Sequence, residues 1–171
     1  MIQRGCLPLA LTVVVAVALV LTCIALPATA QTAPRGDRVV AVDLELVLAV
    51  DVSLSIDSHE ALLQRQGYVQ AFRDPLVTEA IGAGILGRIG VIYFEWANSA
   101  HTQLIVDWTL IDSPAAAEGF ARALERRRPG PVHYTSISGA IDFGATLFEN
   151  NGLDGTRRVI DVSGDGPNNW G

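Results

Sequence analysis

Leu44-Glu45-Leu46-Val47-Leu48-Ala49-Val50 is an apolar, branched run that predicts a buried strand over 43–51. The polar stretch behind it, Asp57 to Glu60, has the spacing of a helix N-cap and its third residue, so a helix is expected over 58–73. That helix would turn Leu62, Val69 and Phe72 inward, and Asp74-Pro75 would break it before a short helical stretch carrying Leu76, Val77 and Ile81. Ile89 to Phe94 is the next apolar run, within a strand expected over 88–96, and Thr102 to Trp108 reads as another. The turn-like Ala97-Asn98-Ser99 between them allows an antiparallel hairpin at a sheet edge. Ser113-Pro114 is an N-cap followed by proline, opening a helix to about 127 that Pro129-Gly130-Pro131 ends. Thr135-Ser136-Ile137-Ser138-Gly139 is a polar loop leading into a helix over about 138–150. Arg157 to Ser163 is the last buried strand, and Gly164-Asp165-Gly166-Pro167 turns away from it. Strands alternating with helices imply a three-layer α/β sandwich around a mostly parallel sheet.

The first thirty residues read differently. Arg4 is a short positive region, Leu7 to Leu26 is almost wholly apolar, and Ala28-Thr29-Ala30 has the A-x-A form of a cleavage site. Residues 1–30 are expected to be a signal peptide, 31–41 a linker, and 42–171 the folded domain, exported to the periplasm or beyond the cell. The alternative is a retained membrane anchor, for which the apolar stretch is long enough. Cys6 and Cys23 both lie in the leader, so the exported chain would have no thiol chemistry and no disulfide. Every basic residue is an arginine, and loss of the leader with Arg4 changes the formal charge from −6 to −7. An acidic balance argues against a nucleic-acid partner, which wants a basic face. Arg126-Arg127-Arg128 is short and ends a helix, where it complements the dipole.

Three loops carry the chemistry: Asp51-Val52-Ser53-Leu54-Ser55, Thr135-Ser136, and Gly164-Asp165-Gly166. Each lies at a strand end or a helix start, and open α/β sheets bind ligands beyond the carboxyl ends of their strands. The donors are all oxygen, which suits a hard cation such as Mg²⁺ and suits Zn²⁺ or Cu²⁺ poorly. Asp51 and Asp165 would roughly neutralise a divalent charge, leaving the cation an open position for an incoming carboxylate. The plainer reading keeps these serines and aspartates as turn and cap residues. Ser136 or Ser138 would then be the N-cap, and Asn168 and Asn169 turn residues.

In order and spacing, Asp51-x-Ser53-x-Ser55, Thr135 and Asp165-Gly166 resemble the metal-ion-dependent adhesion site of von Willebrand factor type A domains. Leu63 to Tyr68, Thr135 to Phe143 and Val159 to Asn169 are similar to a bacterial family of secreted proteins with this fold and no assigned function. The resemblance implies that Ser53, Ser55 and Thr135 are direct hydroxyl ligands, and that Asp51 and Asp165 bind directly or through water. It implies Mg²⁺ or Mn²⁺, with Ca²⁺ a further option, and a protein partner that offers an acidic residue. It does not imply catalysis. It also implies the strand order 3-2-1-4-5-6, of which strands 5 and 6 would be missing here, making the domain C-terminally truncated and leaving Arg158 to Val162 on an exposed edge.

Rival readings are a metal-assisted hydrolase using the same cation as Lewis acid, and a metal-free scaffold. The hydrolase needs a general base, for which His133 is a poor candidate. His59, His101 and His133 lack the spacing of a zinc pair. Gly82-Ala83-Gly84-Ile85-Leu86-Gly87 matches G-x-G-x-x-G, but it follows a helical stretch and precedes a strand, the reverse of a dinucleotide loop, so no nucleotide is expected. Trp96 and Trp108 are expected to pack, and Glu95 and Asp107 on the hairpin to be solvated.

Overall fold

A computed structural model describes residues 39–53, 58–97, 102–126 and 135–164, all within a compact unit that begins at Asp37. The expected leader, residues 1–30, lies outside them. In chain order the elements are β1 (Val40–Asp51), α1 (Ser58–Arg73), α2 (Pro75–Gly82), β2 (Ile89–Trp96), β3 (Thr102–Ile111), α3 (Pro114–Glu125), α4 (Ile137–Thr146) and β4 (Leu153–Ser163). The sheet runs β3-β2-β1-β4. β1 pairs in parallel with both β2 and β4, and β3 closes the other edge antiparallel to β2. The expected mostly parallel sheet and edge hairpin are therefore present. Among the described residues β4 pairs only with β1.

Successive residues of a strand face opposite sides of a sheet, so β1 feeds two cores. Leu48 and Val50 join Tyr93, Val69, Phe72, Phe120 and Leu124 beneath α1 and α3. Val47 and Ala49 join Ile92, Phe94, Trp96 and Ala140 beneath α4. Both faces of β1 and β2 are covered, which is why their sequences read as near-continuous apolar runs. Ring contacts fasten helices to the sheet and to each other: Phe72 to Phe120 at 4.6 Å, Phe94 to Phe143 at 4.9 Å, and Tyr68 edge-on to Tyr93 at 5.4 Å between centroids.

Strands β1, β3 and β4 run further than expected. Val40 and Ala41 pair with Leu153 and Asp154, and Thr109 to Ile111 pair with Ile89 to Val91. These extensions are held by backbone ladders rather than by an apolar pattern, so periodicity does not reveal them. α4 stops at Thr146 rather than 150, ahead of a tight connection in which Asn150 (φ 55°) and Gly152 (φ 77°) take left-handed conformations. Ser113 caps α3 as expected, accepting the Ala116 N–H at 3.3 Å, and Asp74 caps α2 at the Leu76 N–H, 2.9 Å. Leu62 is 43% exposed, contrary to the expected inward face. The buried stripe of α1 is Ala61, Arg65, Val69 and Phe72, so an arginine lies on the inward face.

The glycine-rich segment is a structural loop between α2 and β2. Its backbone wraps the Asp43 carboxylate, which accepts the Leu86 N–H at 3.0 Å and the Arg88 N–H at 3.3 Å. Gly84 lies so close that a Cβ there would fall 2.5 Å from Asp43 Oδ2, and Gly87 takes a left-handed φ of 65°. An internal carboxylate thus occupies backbone donors of the kind a phosphate would use elsewhere. The Leu86 N–H, first among these donors, holds the Asp43 carboxyl below its ordinary pKa. Its contribution is present above the unfolded pKa and is lost as pH falls through the lower folded value. Asp43→Asn is therefore expected to be less stable than wild type near neutrality, with the gap closing as the solution is acidified below about pH 4. Paired urea titrations across that range check it.

Candidate metal site at the carboxyl ends of the parallel strands

β1 ends at Asp51, in register with Trp96, the last residue of β2. The chain then leaves the sheet through Val52 and Ser53. The Ser53 N–H turns back to donate to Asp51 Oδ1 at 2.7 Å, a local turn that fixes the carboxylate. On the other flank β4 runs out at Ser163-Gly164. A Cβ on Gly164 would stand 3.1 Å from Asp51 Oδ2 and 3.4 Å from the Trp96 ring, so a side chain here would press on the Asp51 carboxylate.

Two backbone hydrogen bonds bring the next segment in. Trp96 C=O accepts the Val52 N–H at 2.9 Å, and Ala97 C=O accepts the Ser136 N–H at 2.6 Å. The Asp51–Ser53 turn and the Thr135–Ser136 segment are thereby tied to adjacent residues of β2. Ser136 is the N-cap of α4, its Oγ accepting the Gly139 N–H at 3.2 Å, which leaves Thr135 just outside the helix. Asp51, Ser53, Thr135 and Ser136 are all at least 96% buried. Polar groups are seldom buried this deeply without a binding or hydrogen-bonding purpose.

Of the five residues expected to form the site, Asp51, Ser53 and Thr135 are gathered at one end of the sheet. Ser55 and Asp165 lie outside the described residues, as do His133, Asn168 and Asn169. Among the described residues no three His, Cys, Asp or Glu side chains cluster. The donors assembled here are one carboxylate and hydroxyls, which is the set a hard cation accepts and a thiophilic one does not.

One residue back along the strands from Asp51 lies a polar layer that the pattern of the sequence hides. Glu95 is only 2% exposed, against the expectation that it would be solvated. It receives Arg65 Nη2 in an ion pair whose two side chains are both buried. Beside it, Ser163 Oγ accepts Gln64 Nε2 at 3.1 Å and the Tyr68 hydroxyl at 3.4 Å. Burial pushes the Tyr68 and Tyr93 hydroxyls above the ordinary tyrosine pKa. Asp107 is exposed as expected, while Trp96 is fully buried and Trp108 packs on Phe148 and donates to Leu147 C=O at 2.9 Å.

Residues 41–171 match the family described as protein of unknown function DUF1194. The chain belongs to that family. No curated protein matches it. Among solved structures it is similar to the vWF domain of the type V pili tip protein Mfa5 from Porphyromonas gingivalis, at 16% identity and a TM-score of 0.47, over 75% of this chain and 40% of that one. It is also similar to the three N-terminal domains of the same tip protein, at 14% identity and a TM-score of 0.44, over 70% of this chain and 19% of that one. The chain thus spans less than half of either structure's length. This DUF1194 chain has an α/β architecture, with a β3-β2-β1-β4 sheet and helices on both faces.

Proposed function

We propose that the domain binds a divalent cation, Mg²⁺ or Mn²⁺ with Ca²⁺ a further option, through Asp51, Ser53 and Thr135, completed by Ser55 and Asp165. The observation that carries this reading is the burial of one carboxylate and two hydroxyl side chains at the carboxyl ends of the parallel strands, on segments anchored to Trp96 and Ala97. In that setting Asp51 supplies charge, and Ser53 and Thr135 supply neutral oxygens that leave most of the cation's charge uncancelled. A cation held by these residues would supply Lewis acidity toward an incoming carboxylate.

The role is adhesion of a protein partner through an acidic residue, rather than turnover. The chain's own formal charge of −6 supports a bridging cation, since two acidic surfaces otherwise repel. A vWF domain at the tip of a pilus is the kind of protein in which such binding would serve, and it agrees with export of residues 31–171 after removal of the leader. Among the described residues no helix is long and apolar enough to cross a membrane.

Trp96 gives a direct readout, because its ring lies against Gly164 beside Asp51. Titration of the exported chain with Mg²⁺ is expected to change tryptophan fluorescence saturably, with no such change in Asp51→Ala. Equal saturation in the variant would contradict the assignment of Asp51.

A further inference from the structure

We infer that Arg65 and Glu95 are positioning residues for the cation site: their buried ion pair fixes the end of β2 on which both halves of the site are hung. This inference rests on the cation-site reading above. Glu95 is in register with Val50, the residue before Asp51. The two residues that follow Glu95 carry the carbonyls that hold Val52 and Ser136. Arg65 reaches Glu95 from α1, the helix that begins after the Asp51–Ser53 turn. A shift of Glu95 would therefore move Trp96 and Ala97, and with them the neighbours of Asp51, Ser53 and Thr135.

The opposite flank is held in the same manner. Ser163, also in register with Val50, is gripped by Gln64 and Tyr68 of the same helix. It precedes Gly164, which backs onto the Asp51 carboxylate. Gln64, Arg65 and Tyr68, from the middle of α1, thus meet the sheet on both sides of Val50 through polar contacts, while Val69 and Phe72 supply apolar packing further along the helix.

Stability does not explain the pair. Apolar residues of similar volume often replace a buried ion pair without loss. Here the polar layer is also incompletely satisfied. Gln64 Oε1 is buried without a hydrogen-bond partner among the described residues. A costly arrangement one residue back from the strand ends is accounted for by the geometry it imposes. Supporting groups of this kind typically change metal affinity by about 10- to 100-fold when removed.

The test replaces both partners with apolar side chains of similar length, R65M/E95M, in the exported chain, and adds Arg65→Lys as a variant that keeps the charge but not the fork. Two readouts are compared with wild type: the Mg²⁺ dissociation constant, and amide exchange at Val52 and Ser136 in the absence of metal, with Leu86 as a distant reference. The expected result is a Kd weakened at least about tenfold, together with faster exchange at Val52 and Ser136 and none at Leu86. Wild-type exchange at both amides in either folded variant would overturn the inference. Faster exchange there in a chain whose wild type binds no Mg²⁺ would uphold the positioning role and reject the cation reading instead.

Discussion

Arg65→Ala is expected to destabilise the domain by about 3–5 kcal/mol, because it leaves the Glu95 carboxylate buried and uncompensated. Such a loss is a large part of the about 5–15 kcal/mol that holds a typical domain together. The effect belongs to the pair's burial, since both side chains are almost wholly shielded from water. R65M/E95M removes both charges at once and is expected to recover most of the loss. The contrast between single and double variants is the signature, read as urea midpoints at constant m-value. A single-variant loss below about 1 kcal/mol, the range of exposed pairs, would mean that water reaches Glu95.

Glu45→Ala is the second large effect, away from the site. Glu45 is fully buried in the middle of β1, and its carboxylate gathers the first half of β4 and Asn151 just before it. It accepts the Gly155 N–H at 2.7 Å, Asn151 Nδ2 at 2.6 Å and Arg158 Nε at 3.2 Å. Gly155 lies so near that a Cβ there would be 2.8 Å from Glu45 Oε1. Alanine at 45 would strand a part-buried backbone donor and two side-chain donors, at a cost of about 3 kcal/mol. Glu45→Gln keeps an acceptor for Gly155 and is expected to lose about 1 kcal/mol, the value of a neutral hydrogen bond. Arg158 is half exposed and contributes little to either figure. Thermal melts of the two variants separate these outcomes, and equal losses would show that the charge rather than the acceptor matters.

These two residues also mark where the sequence stops being readable. Asp51, Ser53 and Thr135 were legible because they follow an apolar strand or precede a helix, places where the chain must be near the carboxyl ends of a parallel sheet. The glycine segment 82–87 was legible as a loop because its order, helix then strand, is the reverse of a phosphate-binding turn. Its partner was not: Asp43 lies at the start of the buried part of β1, and nothing local joins it to Leu86. Arg65 and Glu95 were hidden for the same reason. A charge in an amphipathic helix reads as solvent-facing, and a glutamate near a strand end reads as a rim residue. Only the meeting of α1 with β2 makes each the other's partner. Glu45 sits in an apolar run, where a single charge looks like a defect until the connection after α4 folds over it. Leu62 fails in the converse way, its apolar side chain lying outside the buried stripe of Ala61, Arg65, Val69 and Phe72.

The role proposed for the domain depends on a cation seated at Asp51, and the measurement that bears on it most directly is the melting of residues 31–171 with EDTA and then with excess Mg²⁺. Binding to the folded state alone raises stability by about 2.7 kcal/mol at a hundredfold excess over Kd. The account predicts a rise of that order in the wild-type chain, with none in Asp51→Ala, and a smaller rise in R65M/E95M at the same Mg²⁺ concentration. A cooperative melt that does not move on adding Mg²⁺, Mn²⁺ or Ca²⁺ would contradict it.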